Sequence, residues 1–252
     1  MKRYNASGLA ALIALMVIAL NPHHARAAEV QVAVAANFTE PAKEIAAAFD
    51  AATGNKTALS FGASGQLYAQ IAHGAPYQIF LSADAERAQK AEADGLAVVG
   101  SRFTYAVGRL ALYSKSLDLT DGAKTLKAGR FEHLAVADPA AAPYGLAAVE
   151  TLRKLGLYDQ VKPKLVTGAN ITQTYQFVAT GAAELGFVAY SQVIHEKAGS
   201  VWLPPKEDYA PIAQQAVLLK TGAADPAAKA FLAFLKGPAA QAIIQRYGYQ
   251  VP

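Results

Sequence analysis

From residue 30 onward the apolar positions follow two alternating rhythms. Residues 30–36 (VQVAVAA) are continuously apolar apart from Gln31 and predict a buried strand. Residues 39–53 repeat at helical spacing, with Ala42, Ile45, Ala46 and Phe49 on one face and Gly54 as the stop. Residues 57–61 (TALSF) predict a second strand, and Gly62-Ala63-Ser64-Gly65 turns into a helix reaching about His73. Gln78–Ser82 predicts a third strand, and Asp84 opens a charged helix that ends at Gly95.

The rhythm changes at residues 103–113 (FTYAVGRLALY), a long extended stretch with Gly108 in its middle. Such a segment suits a strand leaving one unit and entering another. A second set follows: strand 134–137, a helix from about Tyr144 to Leu155, strand 164–167, helix 172–181, strand 185–190 and helix 191–198. After Pro204, Pro205 and Pro211, residues 212–219 (IAQQAVLL) predict a strand going back, and two helices, 226–236 and 238–247, close the chain. Strand–helix alternation of this kind predicts an α/β fold with mostly parallel strands. Two crossing segments predict two lobes with a cleft between them, the preferred location for a small ligand. The first lobe is expected to be discontinuous, residues 28–107 plus 214–252, with 108–213 forming the second. A single doubly wound domain with an irregular insertion is the alternative. The chain shows no internal repeat, low-complexity linker or long Gly/Ser tether.

The N-terminus alters the reading of charge. Lys2 and Arg3 precede an uncharged apolar run at residues 8–20, and Ala25-Arg26-Ala27 supplies a small-x-small cleavage pattern. The run is shorter than the roughly 18 or more residues of a membrane span, so residues 1–27 are expected to be a cleaved export signal. Without Lys2, Arg3 and Arg26 the 23 basic residues fall to 20 against 19 acidic, a net charge of +1. A nearly neutral mature chain gives no reason to expect nucleic acid as a partner. The absence of cysteine excludes disulfides, thiol catalysis, cysteine-ligated zinc and a lipoprotein anchor.

Candidate chemistry gathers at four turns that lead into helices. Ala35-Ala36-Asn37-Phe38-Thr39 and Gly62-Ala63-Ser64-Gly65 lie in the first predicted lobe. Ala142-Pro143-Tyr144-Gly145 and Gly168-Ala169-Asn170-Ile171-Thr172 lie in the second. Helix N-termini carry unpaired N–H donors and the positive end of the dipole, so converging ones can hold an anion without formal charge. Taken singly, Asn37, Ser64 and Asn170 are ordinary candidates for helix capping. Two turns from each lobe make the functional reading. Asp84 is expected to cap the next helix or brace the hinge. His73, His133 and His195 show no paired metal-ligand spacing.

The chain resembles the molybdate-binding proteins of bacterial ABC transport systems, which have the type II periplasmic-binding fold. The carriers are AANF after the first strand, FGASGQLYAQIAHGAPYQIFLSAD at 61–84, APYGLAA at 142–148, GAAELGFVAYSQV at 181–193 and LKGPAAQAIIQRYGY at 235–249. The resemblance implies a periplasmic, monomeric solute-binding protein that captures molybdate or tungstate for an inner-membrane ABC permease, with no cofactor and no enzymatic activity. It places Asn37 and Ser64 at positions where the family offers side-chain donors. It places Tyr144 and Ile171 where the second lobe offers backbone N–H groups. The oxyanion is then held by these residues alone, with no direct protein–metal ligand. One departure stands out: many members direct a tyrosine hydroxyl at the ligand from the strand matching 185–189, and Ala189 occupies that place here. Tyr190 is one step along and faces the other side of a strand. The resemblance is then to the subgroup that pairs Asn with Tyr, the Asn37 amide NH₂ serving as donor and the Tyr144 ring entering the pocket.

Other functions fit less well. A serine hydrolase needs Gly-x-Ser-x-Gly with an ordered histidine and acid, whereas Gly-Ala-Ser-Gly is one residue short. A phosphate site benefits from an acceptor carboxylate and an organic-acid site from an arginine clamp, and the four turns contain neither. Sulfate remains an alternative oxyanion. A regulator's effector domain shares the fold, but the export signal argues against it.

Overall fold

A computed structural model describes residues 29–252; the expected export signal, 1–27, lies outside the described residues. The chain builds two five-stranded mixed sheets flanked by helices. The first is ordered β2-β1-β3-β10-β4 and comprises β1 (Glu29–Ala35), β2 (Lys56–Gly62), β3 (Ile79–Ser82), β4 (Phe103–Gly108) and β10 (Ile212–Leu218). β1 runs parallel to β2 and β3, and β10 runs antiparallel to β3 and β4. Val30, Val32, Ala33 and Val34 are fully buried, as expected of a parallel strand covered by helices on both faces. α1 (Thr39–Thr53) turns Ala42, Ile45, Ala46 and Phe49 inward and stops at Gly54, whose left-handed φ of 74° suits glycine. α2 (Ser64–Ala72) and α3 (Ala85–Ala93) complete this half, together with α9 (Pro226–Lys236) and α10 (Pro238–Arg246). Phe49 meets Phe231 and Phe234 edge to face beneath α9.

The second sheet is ordered β7-β6-β8-β5-β9. It comprises β5 (Leu110–Ser114), β6 (Leu134–Ala137), β7 (Leu165–Gly168), β8 (Leu185–Ala189) and β9 (Ser200–Trp202). Its helices are α4 (Gly122–Ala128), α5 (Pro143–Lys154), α6 (Tyr158–Val161), α7 (Ile171–Ala179) and α8 (Tyr190–Val193). α5 sits close because Gly145 has no Cβ: one placed there would be 2.2 Å from the Ala137 carbonyl oxygen.

The extended stretch 103–113 crosses between sheets. Arg109 alone separates β4 from β5, and its carbonyl accepts from the Tyr190 N–H at 2.9 Å. The return crossing differs from the sequence expectation. It runs through the irregular, proline-rich segment 203–211, and β10 lies wholly in the first sheet, pairing from Ile212 opposite Gly108. Prolines lack the N–H that a paired strand donates, so this segment cannot extend a ladder. The helix expected over 191–198 is a single turn. Gln192 satisfies the Ala189 N–H at 3.0 Å, and Gly199, at φ 96°, reverses the chain so that β9 can pair with β5. Among the described residues no helix is long and apolar enough to cross a membrane.

Candidate ligand-binding cleft

The four turns singled out in the sequence meet at one place. Asn37 lies in a 3₁₀ turn (Ala36–Phe38) after β1, Ser64 is the first residue of α2, Tyr144 the second of α5, and Ile171 the first of α7. All four line one cavity between the sheets, with no charged side chain in its lining. The N–H groups in the first turn of each helix have no carbonyl behind them to accept. The starts of α2, α5 and α7 meet at this cavity, with Gly65, Gly145 and Gln173 already spending their N–H groups on Ala141, Ala142 and Asn170. Among the described residues no group of three or more His, Asp or Glu side chains is placed to hold a metal ion.

The cleft is closed. The Gly65 N–H donates to the Ala141 carbonyl across the gap at 2.9 Å. Arg87 Nη2 donates to the Ala140 carbonyl at 2.8 Å, and Thr172 Oγ1 to that of Ala36 at 3.3 Å. Asp84 holds Arg87 in a short ion pair and caps α3 by accepting from the Arg87 N–H at 2.9 Å, in line with the capping role expected for it.

Each site residue has distinct chemistry. Ser64 does not cap a helix; its Oγ accepts from the Ala83 N–H at 2.9 Å, which occupies a lone pair and leaves the hydroxyl hydrogen to donate elsewhere. Asn170 does cap, accepting from the Gln173 N–H at 3.0 Å, and so orients α7 with Ile171 at its start. Asn37 is neither a cap nor a free donor. Its Nδ2 donates to Gln214 Oε1 at 2.9 Å and to the Tyr249 hydroxyl at 3.0 Å, while its backbone carbonyl accepts from Tyr249 at 2.7 Å and from Ser191 at 3.0 Å. Both amide hydrogens are thus engaged within the protein, which fixes the orientation of Asn37 in the cavity wall.

Tyr144 is 2 % exposed. Its hydroxyl accepts from Gln214 Nε2 at 3.4 Å and occupies space that a Cβ on Gly108 would fill, at 2.1 Å. Burial raises the Tyr105, Tyr144 and Tyr249 hydroxyls above the usual tyrosine range, so all three stay protonated. Ala189 is fully buried at the end of β8, and Tyr190 stacks under Arg109 and against Gly248, apart from the cavity lining. The sequence reading missed Gln214, Tyr249, Tyr105 and Ser191. For Gln214 there was a signal: it shares the buried phase of β10 with Ile212 and Ala216, where an apolar residue is normal.

A family model described as bacterial extracellular solute-binding protein matches residues 30–250. The chain belongs to this family. The molybdate-binding protein ModA of Rhodobacter capsulatus is 55% identical over 243 residues, covering 96% of this chain and 95% of that protein. The ModA of Azotobacter vinelandii is 53% identical over 229 residues, with 89% of this chain and 91% of that protein covered. The solved structure of the Azotobacter vinelandii periplasmic molybdate-binding protein superposes with a TM-score of 0.85 at 42% identity, covering 88% of this chain and 99% of that one. The two-lobed arrangement is therefore that of a type II periplasmic binding protein. The Mycobacterium tuberculosis sulfate-binding protein SubI shares the fold, with a TM-score of 0.72 at 14% identity.

Proposed function

We propose that this solute-binding protein captures molybdate or tungstate in the periplasm and delivers it to an ABC importer in the inner membrane. The observation that carries the reading is the convergence of Asn37, Ser64, Tyr144 and Ile171, from both lobes, on one cavity without formal charge. The similarity to molybdate-binding relatives along nearly the whole chain supports the same ligand. In this proposal the Ser64 hydroxyl donates to the oxyanion and Ile171 and Tyr144 supply backbone N–H groups from the second lobe. Asn37 contributes from the first lobe, and the metal is reached only through its oxygens. The lobes divide near residues 107 and 213, and the export segment ends near Ala27. The protein acts as a monomer that binds cargo without transforming it. His73 instead lies against its own helix, with Nδ1 2.7 Å from the Ala69 carbonyl, and His195 packs on Tyr247, so neither is placed as a base for Ser64.

Selectivity follows from size. Molybdate, tungstate and sulfate are dianions that offer only acceptors near neutral pH, so a donor-only pocket cannot sort them by protonation. Sulfate is smaller, and in a closed cleft it leaves one set of donors dry and unpaired, at about 1–3 kcal/mol each. Isothermal titration of the mature chain with molybdate, tungstate, sulfate and phosphate tests this. Two or three lost donors correspond to roughly a thousandfold preference for the metal oxyanions. Sulfate binding as tight as molybdate binding would overturn the assignment.

A further inference from the structure

We propose that Gln214 is a positioning residue of this site, latching the closed state by holding the Asn37 wall of the cavity to Tyr144 of the opposite lobe. The inference rests on the oxyanion reading of the cavity and adds a residue that does not line it.

Gln214 is fully buried in a strand whose other inward positions are apolar. A buried amide is costly unless its polar atoms are partnered, and these are. Its Oε1 accepts from Asn37 Nδ2 at 2.9 Å and from the Tyr105 hydroxyl at 3.0 Å, and its Nε2 donates to the Tyr144 hydroxyl at 3.4 Å. The ladder between β10 and β4 slips between Gln214 and Gln215. A bulge of this kind re-aims a side chain. Gly108 makes the space: a Cβ there would lie 2.8 Å from Gln214 Nε2 and 2.1 Å from Tyr144 Oη.

The connections cross the hinge. Asn37, Tyr105 and Gln214 belong to the first sheet's half, whereas Tyr144 begins α5 of the second. Ser191 of the second half adds a parallel tie: its Oγ donates to the Asn37 backbone carbonyl at 3.0 Å, which also accepts from the Tyr249 hydroxyl. When the lobes part, Tyr144 and Ser191 leave and the first-lobe members stay together. Gln214 therefore favours closure and fixes Asn37 in one orientation, without itself touching the anion.

The test is a double-mutant cycle of Gln214→Leu and Tyr144→Phe, read by stopped-flow and titration with molybdate and by melting of the ligand-free forms. Gln214→Leu should weaken molybdate binding about tenfold or more, a loss on the scale of one buried hydrogen bond, chiefly through faster release. Adding Tyr144→Phe should cost less affinity than Tyr144→Phe does alone, because the shared bond is already gone and only the contact of Tyr144 with Tyr249 remains to lose. The two changes should add independently in the stability of the open, ligand-free protein. Wild-type affinity for Gln214→Leu, or full additivity in affinity, would overturn the latch. Should Gln214→Leu fail to fold, Gln214→Glu serves. Its carboxyl would face the neutral Asn37, Tyr105, Tyr144 and Tyr249 side chains, with the Asp84 carboxylate acting on the adjoining Tyr105. Its affinity relative to wild type should fall as pH rises and the buried carboxyl ionises; a constant ratio would count against the proposal. A wild type that binds no molybdate would instead overturn the oxyanion reading, and the latch with it.

Discussion

At the scale of single residues, the polar side chains at the cavity are distinguished by what their hydrogens have left to do. The Ala83 N–H fills one acceptor position of Ser64 Oγ, and the remaining hydrogen is the natural donor to an anion. A hydrogen bond to a charged group is worth about 1.5–3 kcal/mol, so Ser64→Ala should weaken molybdate binding roughly ten- to a hundredfold, with a lower melting temperature because the buried Ala83 N–H loses its acceptor. Wild-type affinity in that variant would remove Ser64 from the site. Thr151 shows the opposite case: among the described residues its Oγ1 is a buried side-chain oxygen with no partner. Thr151→Val keeps the shape and removes the unpaired group, and should raise unfolding stability by about 1 kcal/mol in urea denaturation, with molybdate affinity unaffected. The turns that hold Ser64 and Ile171 were legible because a turn between strand and helix is a local feature. The partners of Asn37 were not, since Gln214 and Tyr249 lie 177 and 212 residues away along the chain.

Elements carry the geometry that brings these residues together. Most strands and long helices could be read from periodicity, as α1 illustrates with its apolar face and terminal Gly54. The crossing near Gly108 was legible because one extended run had a glycine at its centre. What escaped was set by contacts between elements: β9, three residues long, exists by pairing with β5, and α8 is cut short where the chain turns back to make that strand. Gly108 is required by close approach, since Tyr144 Oη fills the place of its missing Cβ. Gly108→Ala should therefore displace the Tyr144 ring, hinder closure and weaken molybdate binding by about tenfold or more. Unchanged affinity and an unchanged scattering profile with ligand would contradict that. The clasp from α3 to the second lobe is more exposed, so Arg87→Met should cost only a few-fold in affinity.

For the whole molecule, the proposed function requires two lobes to close over a neutral, donor-lined space. The closed contacts at Gly65, Arg87 and Thr172 exist only when the lobes meet. Small-angle scattering should therefore show compaction on adding molybdate; identical curves at saturation would contradict hinge closure. Affinity should vary little with salt, because the cavity lining carries no charge to screen. Stability has its own pH signature. Tyr105, Tyr144 and Tyr249 hold their protons more tightly folded than unfolded. Their contribution is complete below about pH 10, the unfolded value, and is lost as pH rises from there through the raised folded values. Urea midpoints should fall over that alkaline range, and a flat profile would mean the hydroxyls are not buried as described. The central claim, that an oxyanion sits where four turns from two lobes converge, is tested most directly by diffraction from crystals grown with molybdate at the molybdenum absorption edge. The account predicts one anomalous peak in the cavity, its oxygens within hydrogen-bonding reach of Ser64 Oγ and the Ile171 N–H. A peak elsewhere, or a cavity without one at saturating molybdate, would contradict it.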